Sequence, residues 1–157
     1  MKKIKILVLV CFVTMFAGCI GDMKFVKADL TVDKVKYQAY TNNSIIVAVT
    51  DVREQVKNDE KVVIIKLALD NEFFEAMKIT GDKTVLIDDE DKEYKYDKAE
   101  TAAAGLLYGG VFKTNSLEPS STYVGNIAYR LPKDSDIGNY KIKIEGGMEL
   151  PIKVVKK

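Results

Sequence analysis

KVVIIKLAL, residues Lys61 to Leu69, is apolar at every position except its two lysines. It holds no glycine or proline, and Val62, Val63, Ile64 and Ile65 are all β-branched. Branching at Cβ favours extended chain. A strand that is apolar on both faces needs cover on both, which suits a central position in a sheet.

On the N-terminal side of this run, Arg53 to Glu60 reads as a polar loop and Ile45 to Val49 as a short apolar strand. Thr41-Asn42-Asn43-Ser44 has turn composition, and Val26 to Asp33 alternates apolar and polar residues, the period of a half-buried strand. On the C-terminal side, Thr84 to Asp88 and Glu93 to Asp97 flank an acidic run and read as a hairpin, with Tyr94 and Tyr96 on one face. KAETAAAGLLY, Lys98 to Tyr108, is rich in helix formers and stops at Gly109-Gly110, so a short helix or crossover segment is expected there.

Val111 to Asn115 reads as a further strand, and Leu117 to Ser121 as a turn. Tyr123, Gly125, Ile127, Tyr129 and Leu131 then alternate with polar Asn126 and Arg130. After a polar loop over Pro132 to Gly138, Tyr140 to Glu145 alternates cleanly, and Leu150, Ile152 and Val154 form a last strand that Pro151 confines to a sheet edge. Seven to nine short strands with one helical segment predict an all-β fold, an antiparallel β-sandwich. The Cys-Trp-Cys core of antibody domains is absent, so any immunoglobulin likeness is architectural.

The chain opens MKKIKILVLVCFVTMFAGC. Three early lysines precede an apolar run of twelve residues, Ile6 to Ala17, too short to span a bilayer and suited to a secretory signal. Phe16-Ala17-Gly18-Cys19 resembles the lipobox of bacterial and archaeal lipoproteins, with Phe16 where Leu is usual. That resemblance implies cleavage before Cys19 and lipidation of its thiol. The expected organisation is a signal peptide over residues 1–18, a lipidated tether over 19–24 and a β-sandwich domain over 25–157.

Cys11 lies in the signal, so the exported part keeps no free thiol and no disulfide and depends on its core. The chain carries 24 basic and 23 acidic residues, a balance without the basic face that nucleic acid requires. There is no histidine, which removes the Ser-His-Asp triad and the commonest transition-metal ligand. Carboxylate pairs and Ser-Lys arrangements remain available to chemistry.

VVIIKLALDNEFF, LIDDEDKEYKY, LEPSSTYVGNIAYRLP and YKIKIEG occur in that order. Together they resemble the immunoglobulin-like lipoprotein domain family of Gram-positive bacteria and archaea, of unknown function, similar in fold to a small secreted mycobacterial antigen. The family's strand-ending Asn is matched by Asn71. Its hairpin before an aromatic is matched by Asp91-Lys92-Glu93-Tyr94, and its turn and following strand by Leu117, Pro119, Gly125 and Tyr129. Lys92 and Ser120 stand where the family has glycine. The resemblance implies an immunoglobulin-like sandwich and an extracytoplasmic address, and it carries no catalytic residues.

Asp88, Asp89 and Asp91, with Glu90 between them, are the candidate metal ligands, for calcium. Without the EF-hand spacing, the plainer reading is a solvated hairpin tip. Tyr37, Tyr40 and Tyr108 fall outside the clearest alternations and are the candidate partner surface. Asn42-Asn43-Ser44 fits a glycosylation acceptor at Asn42 and equally a simple turn. The expected protein is therefore a lipid-anchored module on the extracytoplasmic face of the cell membrane, held by lipid on Cys19. It contacts another envelope protein, with no nucleic acid, no cofactor and no catalysis. The alternatives are a small-ligand or calcium-binding lipoprotein using the acidic hairpin over 88–91, and an envelope hydrolase working through two carboxylates.

Overall fold

The structure, a computed structural model, describes residues 26–41, 44–144 and 148–157. The expected signal and tether, with Cys19, and the acceptor Asn42 lie outside the described residues. Among those described, the first strands are β1 (Val26–Val32), β2 (Val35–Thr41), β3 (Ile45–Lys57) and β4 (Glu60–Asn71). The short β5 (Met77–Ile79), β6 (Val85–Ile87) and β7 (Glu93–Lys95) lead to the helix α1 (Lys98–Tyr108). β8 (Thr114–Leu117), β9 (Thr122–Pro132), β10 (Lys141–Ile144) and β11 (Met148–Pro151) complete the chain. One sheet runs β1-β2-β3-β4-β9, a second runs β11-β10-β6-β7, and β5 pairs with β8. The pairings between named strands are antiparallel, and the fold is an all-β sandwich with one helix.

β4 is the apolar run, extended at both ends and paired along its length with β3 and β9. Val63, Ile65, Leu67 and Leu69 face the core between the sheets, where they meet Leu86, Ile142 and Met148. Val62, Ile64 and Ala68 belong to two further clusters on the outer face. β4 ends at Asn71, whose side chain is fully buried and fully used. Its amide donates to the carbonyls of Glu75 and Leu117, both at 2.8 Å, and its Oδ1 accepts from the Phe73 N–H at 2.9 Å. That set of bonds ties the following loop to β8.

Two expectations need correction. Arg53 to Glu60 is not a loop: β3 continues to Lys57, β4 begins at Glu60, and Asn58-Asp59 makes the turn, with Asn58 in the left-handed region (φ 56). The hairpin extends past the core, so it is edged with ion pairs and reads as polar; Lys61 meets Glu54 at 2.8 Å and Lys57 meets Glu100 at 2.6 Å. The strand count is also higher than expected, at eleven among the described residues, because the β5, β6 and β7 pieces are three residues each. β11 is an edge strand, as Pro151 requires.

The outer face of the five-stranded sheet is covered twice. β1 and β2 join through Asp33 and Lys34, both left-handed (φ 49 and 68), the backbone of a tight two-residue turn. β2 pairs with β3 only at Tyr40↔Val47 and Thr41↔Ile46. Past that point it leaves β3, and the C-terminal segment takes its free edge, with the Gln38 N–H donating to the Val155 carbonyl at 2.8 Å. The hairpin lays Leu30, Tyr37 and Ala39 over Ala48 and Ala68, small residues that permit a close approach. The helix packs Ala104 onto Val62, Ile64 and Ala128.

Asp97 caps the helix by accepting from the Glu100 N–H at 2.8 Å. The helix stops at Gly109 (φ 81), and the next residues return along the edge of β9. They approach so closely that a Cβ on Gly125 would lie 2.8 Å from the Phe112 Cα. Gly125→Ala is expected to lower stability by about 1–3 kcal/mol, the usual cost of overpacking, read from urea unfolding midpoints. An unchanged midpoint would show that this approach is slack.

Tyr129 is buried completely, and its hydroxyl has no hydrogen-bond partner among the described residues. Burial also pushes that hydroxyl's pKa well up. An unsatisfied buried hydroxyl costs stability that a phenyl ring does not. Tyr129→Phe is expected to raise unfolding stability by about 1 kcal/mol; a loss of stability would mean that the hydroxyl is satisfied in solution.

Candidate functional site

On the hairpin side the outer face carries a groove. β3 carries a bulge between Val49 and Asp51, and such an extra residue re-aims the side chains that follow it. Thr50, Asp51 and Arg53 thereby line this groove, of about 310 Å³. Val32, Val35, Tyr37 and Val124 supply its apolar wall. Lys66, on β4 directly opposite Asp51, lies at its floor.

Lys66 is half-buried on an interior strand, yet its amine has no hydrogen bond or ion pair to another described residue. Asp51 faces it in register but is taken by Arg53, whose Nε donates to Asp51 Oδ2 at 2.7 Å. That hydrogen bond holds the Arg53 pKa above its ordinary value. The Arg53 guanidinium also lies 4.2 Å from the centre of the Tyr108 ring, and the Tyr108 hydroxyl accepts from Gln55 Nε2 at 3.0 Å. Three cations, Arg53, Lys66 and Lys156, meet two carboxylates, Asp33 and Asp51, around the groove.

A second concavity, of about 340 Å³, lies beside the helix start. Its polar groups satisfy one another: the Tyr96 hydroxyl donates to Asp82 Oδ1 at 3.1 Å, and Lys98 Nζ is 3.8 Å from the same oxygen. Its other lysines, Lys78 and Lys113, are exposed at the rim.

The sequence-expected residues fall in several places. Tyr37 is buried against Leu30 and Ala48, so the expectation of a surface ring there is corrected; it sits on the hairpin's inward face and shows only an edge to the groove. Tyr40 is half-buried against the inter-sheet core, its hydroxyl accepting from Gln38 at 2.9 Å. Tyr108 is half-buried and sits beside the groove under Arg53. Tyr37 thus lines the groove, Tyr108 reaches it only through Arg53, and Tyr40 lies on the other face.

In the acidic hairpin, Asp88 turns inward. Its Oδ1 accepts from the Glu90 and Lys92 N–H groups at 3.0 and 2.9 Å, and its Oδ2 from the Tyr94 hydroxyl at 3.1 Å. Asp89 and Asp91 point outward and are exposed, and Asp91 takes the left-handed backbone (φ 62) where the resembled family has glycine nearby. Among the described residues no group of three or more His, Cys, Asp or Glu is placed to hold a metal ion.

Sequence reasoning passed over Lys66, Thr50 and Asn126. Asn126 is buried, and its amide donates to the carbonyls of Gly109 and Gly110 at 2.8 and 2.9 Å, closing the end of the helix. The one signal for Lys66 was its place as the only polar residue inside the apolar run Val62 to Leu69.

A family model described as a domain of unknown function (DUF4352) matches residues 22–150. The chain belongs to this family. As a DUF4352 domain it is similar in fold to a conserved hypothetical protein from Bacillus anthracis, with a TM-score of 0.51 and 16% identity over 82% of this chain and 94% of that one. A candidate lipoprotein (ycdA) from Bacillus subtilis gives a TM-score of 0.49 at 16% identity, over 73% of this chain and 35% of that one. No curated protein matches. At this identity the likeness to solved structures concerns the fold alone.

In this DUF4352 domain the acidic hairpin has a definite pH signature. Burial alone would raise the Asp88 carboxyl, but the Lys92 N–H, the Tyr94 hydroxyl and the Glu90 N–H outweigh it and hold the pKa below the ordinary 3.8. A carboxyl lowered on folding adds stability above its unfolded pKa, and that contribution fades as pH falls through the folded value. Between about pH 5 and about pH 3 the wild type is expected to lose more urea resistance than Asp88→Asn, whose amide oxygen keeps the turn without the charge. Equal losses in the two proteins would remove Asp88 from the account.

Proposed function

We propose that this protein is a lipid-anchored extracytoplasmic binding module of immunoglobulin-like architecture, which acts by contact with another cell-envelope protein and without catalysis. The observation that carries this reading is the outer face of the five-stranded sheet. It is grooved and charged, and beside it the helix leaves Leu106 and Leu107 uncovered, at 90% and 71% exposure. Large apolar side chains exposed together mark contact surfaces. Covering a leucine is worth about 1.5–3 kcal/mol, so this pair alone would contribute usefully to a complex.

The anchor supports the same reading. Val26, Thr41, Ile46, Asp70 and Thr122 form one row across one end of the sheet. A chain tethered through Cys19 enters at that end. The seven residue steps from Cys19 to Val26 reach at most about 25 Å, which keeps the domain beside the membrane. The hairpin tip at Asn58 and the helix-covered face lie toward the other end of β3 and β4, away from the point of entry. With no histidine in the chain, there is no imidazole to serve as a general base near neutral pH.

In cells, the mature protein is expected to begin at a Cys19 bearing diacylglyceryl mass, and Cys19→Ala to move it from the membrane to the soluble fraction. Membrane retention of Cys19→Ala with an unmodified thiol in the wild type would sink the anchoring. For the contact surface, Leu106→Ser with Leu107→Ser is expected to leave the melting temperature unchanged and to abolish the wild type's cross-link to a defined envelope protein. An unaltered cross-link would move the surface elsewhere.

A further inference from the structure

We propose that the outer-face groove is a binding site for a carboxylate carried on a compact apolar body. This rests on the reading of the domain as a binding module and names the chemistry the groove would take.

The charge of the ligand follows from the pairing inside the groove. Arg53 is neutralised by Asp51 at 2.7 Å. Lys156 and Asp33, of opposite charge, are both exposed at the rim. With Lys66 the lining carries three cations against two carboxylates, and Lys66 is the cation on its sheet floor with no ion pair to another described residue. Its amine, on a part-buried residue of the sheet, is therefore available as the counter-charge of an incoming anion. The Thr50 hydroxyl does not compete for that anion's site as a free donor, since it already donates to the Lys66 carbonyl at 3.1 Å.

The shape of the ligand follows from the walls. Val32, Val35, Val124 and the edge of Tyr37 give the groove apolar sides above its charged floor. A volume of about 310 Å³ is at the small end for ligand sites and holds about ten non-hydrogen atoms at liquid density. Inorganic phosphate would use the charge and leave the walls unfilled. A neutral apolar molecule would fill the walls and leave Lys66 without a counter-charge. A single carboxylate on a branched or linear hydrocarbon uses both. Two sources share this chemistry: a free carboxylic acid, and the C-terminal residue of a protein chain when that residue is apolar.

The groove is also preformed. Its floor is interior sheet, one wall is a hairpin pinned by the C-terminal segment, and the Arg53 side is held by the Tyr108 ring and Asp51. Binding therefore needs little rearrangement, which lowers its entropic cost.

The test is a titration of the full chain, ¹⁵N-labelled in detergent, with hexanoate and with N-acetyl-leucine, each against its neutral amide. The acids are expected to shift the amide signals of Thr50, Lys66 and Val124 with millimolar affinity, and the amides to bind about tenfold or more weakly. Tighter binding of N-acetyl-leucine than of hexanoate assigns the site to a chain terminus, and the reverse order to a free acid. Lys66→Gln is expected to weaken the acids about tenfold or more, Lys66→Arg to retain them, and Lys98→Gln, in the second concavity, to leave them unchanged.

Acids and amides that bind alike, or an absence of shifts with either acid at about 20 mM, would overturn the proposal. The wild-type comparison stands even where a Lys66 variant folds poorly. Because the titration does not depend on the anchor or on the leucine pair, its failure leaves the membrane and cross-linking results untouched, and their failure leaves it untouched.

Discussion

A strand that is apolar on both faces commits a protein to three layers. β4 is such a strand, with Val62, Val63, Ile65, Leu67 and Ala68 completely buried. Side chains on alternate residues point to opposite sides of a sheet, so no single packed layer can bury both sets. The second sheet covers one set. The other set needs cover from something else, and this chain spends its β1–β2 hairpin and its helix on that task. The splay of β2 away from β3 and the helix between β7 and β8 are both answers to the same demand.

The groove follows from that arrangement. The hairpin and the helix cover different residues of the outer face. The residue at the groove's floor is Lys66, the single polar interruption of the apolar run. An apolar residue there would face water in the groove. A lysine there tolerates the groove and charges it. The bulge at Thr50 completes the site, because the register shift after Val49 brings Asp51 opposite Lys66 and places Arg53 beyond it. The features that look like local irregularities are thus placed around one concavity.

Much of the fold was legible because its signals are local. The period of two in Tyr123 to Leu131, the helix formers from Lys98 and the Pro151 edge each depend on a few neighbouring residues. The β3–β4 extension was not legible, since its outward residues are charged and find their partners on distant elements, such as Arg130 with Glu60 at 2.8 Å. Tyr37 misled for a related reason. Its neighbours in sequence alternate poorly, because its strand packs against the outer face of its own sheet while Tyr40, three residues on, serves the inner core. The candidate site was the least legible part. A lysine that lacks a partner cannot be distinguished in sequence from one that has a partner, and the volume above it exists only once two distant elements have been set side by side.

Three polar devices fix the helix on the outer face. Asn126 closes its C-terminal end with bonds to Gly109 and Gly110. Thr101 accepts from the Ala128 N–H at 2.9 Å and joins its first turn to the edge of β9. Arg130 binds Asp97, Glu60 and Glu100 at 2.7, 2.8 and 2.7 Å. Single surface ion pairs contribute little, but one guanidinium that holds three carboxylates fixes orientation as well as distance. The hydrogen bond from the Glu100 N–H and the Arg130 contact both lower the Asp97 pKa, so the cap stays charged across the physiological range. The apolar contacts of Ala104 with Val62, Ile64 and Ala128 are small and would let the helix slide. The polar bonds at its two ends prevent that.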